Sequence, residues 1–161
     1  MGTTMTEGEK GVTIGVISDT HGLLRPEVER IFAGCQQIIH AGDLGGKGVL
    51  ERLSALAPVT AVRGNVDRDP WSASLPLTEV VRCGPHLAYL LHDLATLDLD
   101  PLAAGFRLVI HGHSHQPLVR KERGVLYLNP GSAGPIRFNL PVTVALLRLT
   151  GGVLRPEIVT L

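Results

Sequence analysis

The sequence predicts an α/β fold, with a parallel sheet built from its first third and a second, more antiparallel sheet packed on that one. Three observations carry this reading. Short apolar, β-rich runs alternate with helical spacings as far as Asn65. Each of those runs ends in a polar loop containing glycine. The later half offers strand after strand with almost no helical spacing between them.

Val12 to Ile17 (VTIGVI) reads as a buried strand that runs into Ser18-Asp19-Thr20-His21-Gly22. Pro26 opens a helix to about Ala33, since proline is tolerated in a first turn. Gln36 to His40 is a second strand, followed by Ala41-Gly42-Asp43-Leu44. Leu50, Leu53, Leu56 and Ala57 fall at helical spacing, which predicts a helix over Lys47 to Ala57. Pro58 to Arg63 is a third strand, running into Gly64-Asn65-Val66-Asp67. Thr78 to Arg82, His86 to Leu91, Arg107 to Ile110, Gly124 to Leu128 and Val142 to Leu149 are the later strands. Between them only Leu97 to Ala104 suggests a short helix, against the presence of Pro101. Arg123-Gly124 and Gly151-Gly152 read as hairpin turns.

A chain of 161 residues, 44% apolar and 19% charged, suits a single domain over residues 11–161 behind a flexible tail over residues 1–10. Fifteen basic residues balance fifteen acidic ones, which argues against a partner as anionic as a long nucleic acid. A small phosphorylated substrate stays open, because a bound metal supplies positive charge locally. Cys35 and Cys83 lie apart and read as small buried hydrophobes. No apolar run approaches the ~18 residues of a membrane span, and Met1 to Lys10 lacks the pattern of a secretion signal. A cytoplasmic protein is expected, without membrane attachment. Trp71, expected on the surface, leaves room for a homo-oligomer.

In parallel α/β sheets ligands sit beyond the carboxyl ends of the strands, where Asp19, His21, Asp43 and Asn65 would emerge. Each cluster taken alone has an ordinary explanation as a cap, a turn or a core histidine. His113-Ser114-His115 has less of one, for two histidines flanking a serine past a strand end seldom serve structure only. Together with His92 these residues offer oxygen and imidazole donors and no thiolate, a set suited to Mn, Fe, Co, Ni or Zn. Seven donors exceed one tetrahedral site and match two cations sharing a carboxylate, ~3.5–4 Å apart.

Asp19-Thr-His21, Gly42-Asp43, Gly64-Asn65-x-Asp67, His92 and Gly112-His113-Ser-His115 resemble the motif series of the calcineurin-like metallophosphoesterases. The short length and Asn129-Pro130-Gly131-Ser132 resemble its small bacterial and archaeal phosphodiesterase branch. The resemblance implies a four-layer α/β/β/α sandwich of two mixed sheets and a metal-dependent phosphoesterase, most simply a phosphodiesterase acting on small phosphate esters. It implies two divalent transition-metal ions, manganese first among them. Asp19, His21 and His115 would hold one, Asn65, His92 and His113 the other. Asp43 would bridge them together with a hydroxide that attacks phosphorus, so that Asp43, Asn65 and His92 stand nearest the chemistry.

Two positions depart from the family pattern. Val66 stands where a histidine often protonates the leaving group, and Asp93 where glycine often follows the ligand histidine. His40 reads equally as a residue that orients a ligand and as a buried strand histidine. His111 reads as a strand-end residue and His86 as exposed, while Asn129 to Ser132 and Arg137 could each touch a ligand or serve no function. Two rival functions remain. One is a non-catalytic scaffold, such as the retromer subunit of the superfamily, which predicts lost ligands where none is lost. The other is a nuclease, which the charge balance disfavours.

Overall fold

In the computed structural model, which describes residues 11–161, ten strands form two five-stranded mixed sheets. The predicted tail, residues 1–10, lies outside the described residues. The strands are β1 (Val12–Ile17), β2 (Gln37–His40), β3 (Val59–Ala61), β4 (Thr78–Cys83), β5 (His86–Leu91), β6 (Leu108–Ile110), β7 (Leu118–Glu122), β8 (Val125–Asn129), β9 (Thr143–Thr150) and β10 (Val153–Thr160). The first sheet runs β10-β9-β1-β2-β3 and the second β4-β5-β6-β8-β7. Helices α1 (Pro26–Phe32) and α2 (Lys47–Ser54) connect the parallel strands β1, β2 and β3.

Residue alternation explains how β1 and β9 tolerate continuous apolar sequence. Ile14 and Val16 of β1, with Ala145 and Leu147 of β9, pack between the sheets on Leu90, Leu108, Ile110 and Leu128. Their neighbours Ile17, Val144 and Leu146 point the other way, onto Val28 and Phe32 of α1 and Leu53 of α2. Both faces are dry, and each fully buried Ile, Leu or Phe there contributes about 1.5–3 kcal/mol of transfer free energy.

The second sheet departs from the expected antiparallel character. β5, β6 and β8 run parallel, and only the flanking pairs β4–β5 and β7–β8 are antiparallel. β9 belongs to the first sheet, pairing antiparallel with β1. The helix expected over Leu97 to Ala104 does not form. A 3-10 turn, Leu94–Thr96, covers the outer face there, with Leu94 and Leu97 on Leu91, Val109 and Val125, and residues 100–106 make single turns around Pro101. The fourth layer is therefore thin. Cys35 and Cys83 are buried free thiols, as expected. Trp71 is half-buried in a 3-10 turn, Pro70–Ser74, not exposed. No helix among the described residues is long and apolar enough to cross a membrane.

Candidate metal centre

The carboxyl ends of β1, β2, β3, β5 and β6 open on the same side of the molecule, and the loops leaving them are tied together through the backbone. Asp19 N–H donates to the Gly42 carbonyl at 3.0 Å, His21 N–H to Asp43 at 3.0 Å and Gly22 N–H to Leu44 at 2.7 Å. Gly42 must be glycine twice over, since its φ is 102° and a Cβ there would lie 2.6 Å from His92 Nδ1. Eight non-glycine residues among those described have positive φ, and five of them are Asp19, His21, Asp43, His113 and His115. Such conformations cost of order 1–3 kcal/mol each and persist where the surroundings impose them, typically at functional sites.

These loops converge their side chains. Asp43 Oδ2 lies 3.3 Å from His92 Nε2 and 3.7 Å from His21 Nε2, which places it between the two imidazoles. Asp19 Oδ1 lies 3.5 Å from His115 Nε2, and 4.0 Å from both His21 Nε2 and His92 Nε2. Two compact donor groups result, Asp19-His21-His115 and Asp19-Asp43-His92. Asn65 joins the second through Oδ1, 3.0 Å from His92 Nε2. His113 stands at the rim, half-exposed, with Nε2 3.8 Å from Asp93 Oδ2 and its ring 5.1 Å from that of His92.

The protonation pattern suits a cation. His92 Nδ1 faces the Ala41 carbonyl at 2.7 Å and must donate to it, so a ring that yields its Nε2 proton to a cation points that nitrogen's lone pair toward Asp43 and Asn65. By itself the chain satisfies this cluster with Asn65 Nδ2 inward, donating to both Asp43 oxygens at 3.2 Å and to His92 Nε2 at 3.0 Å. With Oδ1 inward, three acceptors face one another, and a cation at their centre satisfies all three. Asp19 Oδ1, His21 Nε2 and His115 Nδ1 are buried without a hydrogen-bond partner. Burial alone would raise the Asp43 pKa, but the His92 bond, the Val66 N–H and the nearby His21 together lower it to about 2. Burial pushes the Asp19 carboxyl up despite its Ser18 hydrogen bond. An oxygen-and-imidazole donor set of this kind fits Mn, Fe, Co, Ni or Zn.

Residues 12–152 match the calcineurin-like phosphoesterase superfamily domain. The chain belongs to that superfamily. Among its relatives a protein of Methanothermobacter thermautotrophicus, named a probable metallophosphoesterase, is 37% identical over 158 residues, covering 91% of each chain. The phosphodiesterase YfcE of Escherichia coli is 28% identical over 155 residues, covering 81% of this chain and 84% of its own. Of solved structures, an archaeal phosphodiesterase superposes with a TM-score of 0.78 at 22% identity, covering 92% of this chain and all of its own. Vacuolar protein sorting 29 of Cryptosporidium parvum does so with 0.76 at 20% identity, covering 94% and 98%. At such identities the structural likeness concerns the fold. The expected metallophosphoesterase architecture is thus the one observed.

Within this superfamily member, several further side chains hold the loops in place. Asp67 belongs to the Gly64-Asn65-x-Asp67 motif, and the motif alone gives it no function. Its buried carboxylate accepts from Gly64 N–H at 2.9 Å, Gly45 N–H at 3.0 Å and Leu44 N–H at 3.2 Å, stapling the Asn65 loop to the Asp43 loop. Asn129 Nδ2 donates to the Gly112 carbonyl and the Ser114 hydroxyl, both at 3.1 Å, and Ser132 Oγ donates to the Asp19 carbonyl at 3.1 Å. These side chains are occupied in fixing the loops that carry the candidate donors. Apart from the local Gly64–Asp67 bond, proximity in sequence signals none of these contacts, since the partners lie 15–113 residues apart.

His40 is a buried strand histidine that positions backbone. Its Nδ1 accepts from Gly42 N–H at 3.1 Å, its Nε2 donates to Thr20 Oγ1 at 3.1 Å, and Thr20 in turn donates to the Leu44 carbonyl at 2.8 Å. Burial holds the His40 pKa at about 3 and that of His111, buried beyond β6, at about 4. Both folded values lie below that of an unfolded histidine, so the stability they confer is full above pH ~6.5 and lost as pH falls toward those values. The chelated protein should lose up to about 1.4 kcal/mol per pH unit per such histidine below pH 6.5, read from urea midpoints. His92, raised by its Asp43 bond against the effect of burial, has the opposite slope. A His40→Met variant isolates the effect: its midpoint should be lower at pH 7 and its acid slope shallower. An unchanged slope would remove His40 as the cause.

The remaining candidates lie as follows. His86, expected exposed, is half-buried, its Nε2 2.6 Å from the Gly152 carbonyl. Asp93 Oδ1 caps the 3-10 turn by accepting from Ala95 N–H at 3.0 Å, while Oδ2 faces His113. Arg137 is exposed, near His115.

Proposed function

We propose that this chain is a dinuclear metal-dependent phosphodiesterase for small phosphate esters, with residues 11–161 acting as one catalytic domain. Asp19, His21 and His115 hold one cation, Asn65, His92 and His113 the other, and Asp43 bridges them. The observation that carries the reading is the convergence of Asp43 Oδ2 on His92 Nε2 at 3.3 Å and on His21 Nε2 at 3.7 Å, with Asn65 beside them. Superfamily membership and phosphodiesterase-named relatives support it. When bound, the cations acidify a water and neutralise phosphoryl charge. Hydrolysis consumes one water and one diester, breaks a phosphorus–oxygen bond, and yields a monoester and an alcohol.

The chain's own contribution is positional. Val66 N–H donates to Asp43 Oδ1 at 3.0 Å and fixes the carboxylate's orientation. The Ala41 carbonyl fixes the His92 tautomer, and the His40–Thr20 chain holds the loops that carry Asp19, His21 and Asp43. Likeness to vacuolar protein sorting 29 favours a second reading, a non-catalytic interaction protein. That likeness concerns the fold, whereas seven donors at the strand ends favour the enzyme.

The deciding experiment is elemental analysis combined with hydrolysis of bis-p-nitrophenyl phosphate as each divalent cation is restored to chelated protein. About two metals per chain with Mn²⁺, and activity abolished by chelation, are expected. Full turnover in excess chelator with no metal detected would reject the proposal, and metal without turnover would favour the interaction protein. Val66 adds a further expectation. A positioned acid typically contributes ~10²–10⁴-fold, chiefly for basic leaving groups, and valine donates no proton. Across aryl and alkyl diesters, log kcat/KM should fall steeply with leaving-group pKa. A flat plot would mean that another residue supplies the proton.

A further inference from the structure

An open cleft of about 560 Å³ adjoins the candidate centre, and Asn65, His92 and His113 line part of it. That volume lies within the range of small-molecule sites and well exceeds a phosphoryl group. Away from those three residues the lining changes character. Leu77 is 62% exposed. The Tyr89 ring, half-buried, packs over Leu91, Val109 and Val125 and stands 5.2 Å from the Phe106 ring, which fixes it as a flat apolar surface. The charges are unequal, Asp93 and Asp98 against Arg63. The cleft thus offers aromatic and aliphatic contact next to a phosphate site, with a carboxylate excess on its own lining.

We infer that this cleft receives an ester arm of the substrate, and that it selects an arm that is partly apolar and either uncharged or cationic. An arm bearing a further phosphate or carboxylate is disfavoured by Asp93 and Asp98. The inference rests on the dinuclear phosphodiesterase reading, which supplies the anchored phosphoryl group. It disfavours oligonucleotide arms on electrostatic grounds local to the cleft, independent of the chain's overall neutrality.

Phosphonates carry one arm on a carbon–phosphorus bond that hydrolysis does not cleave, so binding is read without turnover. The probes are methyl-, phenyl-, 4-(aminomethyl)phenyl- and 4-carboxyphenylphosphonate, titrated calorimetrically into the full-length, Mn²⁺-loaded protein. Phenyl should bind roughly tenfold tighter than methyl, and aminomethylphenyl about 5- to 10-fold tighter than carboxyphenyl. Leu77→Glu should erase most of the phenyl-over-methyl preference while leaving methylphosphonate binding unchanged. Asp98→Lys should erase or invert the preference for the cationic arm. Both positions are exposed, so folding is not at stake. Equal affinity for all four phosphonates would overturn the inference, as would charge discrimination that survives Asp98→Lys. Failure of even methylphosphonate to bind would instead reject the metal-centre reading on which the inference stands.

Discussion

Asp43→Ala should reduce metal occupancy at both positions at once and lower turnover of bis-p-nitrophenyl phosphate by on the order of 10³-fold or more. The geometry behind this is a single carboxylate oxygen 3.3 Å from His92 Nε2 and 3.7 Å from His21 Nε2, with its partner oxygen held by Val66 N–H at 3.0 Å. Losing a residue that merely orients a ligand typically costs 10–100-fold, and Asp67→Asn provides that comparison within the same loops. A bridge differs because both cations depend on it. His115→Ala should empty mainly one position and His113→Ala mainly the other, leaving about one metal per chain in each. Elemental analysis of the four variants, dialysed against the same Mn²⁺ concentration, reads the difference. If Asp43→Ala retained both metals and wild-type turnover, the bridging assignment would be wrong.

Gly64→Ala should be a severely damaging addition of a single methyl group at the centre. A Cβ there would lie 2.2 Å from Asp43 Oδ1 and 2.3 Å from the Asp43 backbone nitrogen, and the backbone cannot yield as a side-chain tip can. The loop must shift, which disturbs the Gly64 N–H bond to Asp67 and the position of Asp43 together. Overpacking of this severity costs about 3 kcal/mol, and activity should fall with it because the displaced group is the carboxylate proposed to be shared. Gly48→Ala is the matched control. It lies inside α2, and a Cβ there would meet nothing within 4 Å, so the same methyl should stabilise by roughly 0.5–1 kcal/mol. Paired denaturant titrations distinguish the two. Equal midpoints for both variants would mean that the Gly64 loop is slack and the close packing around Asp43 unimportant.

Which strands the sequence revealed follows from where their side chains point. Ile14 to Ile17 of β1 and Val144 to Leu147 of β9 are buried on both faces, so these stretches carry no polar side chain, and that continuous signal is visible without any structure. β7 and β10 lie at the sheet edges and went unpredicted. Four of the five residues of β7 are exposed, and β10 carries Pro156, which an edge strand tolerates and a central one does not. The expected helix over Leu97 to Ala104 failed at Pro101, where the helical pattern met a residue that removes a backbone donor. The parallel core of the second sheet was hidden for another reason. Strand direction depends on crossovers, and the connections between β5, β6 and β8 contain no helix with a readable period.

The donor types at the strand ends were legible because chemistry restricts them: carboxylates, an amide and imidazoles, without thiolates, in an order that matched a known motif series. The sequence by itself thus determined the family, the α/β class and the seven candidate donors. Only the tertiary structure decided how those donors meet. The positive φ angles at Asp19, His21, Asp43, His113 and His115 are imposed by packing and by loop-to-loop hydrogen bonds, since each residue alone disfavours that conformation. The tautomer of His92 depends on the Ala41 carbonyl, 51 residues away in the chain. The stapling role of Asp67 depends on N–H groups of a different loop. Local sequence carries residue chemistry and periodicity, whereas orientation and protonation arise from contacts between segments distant in the chain.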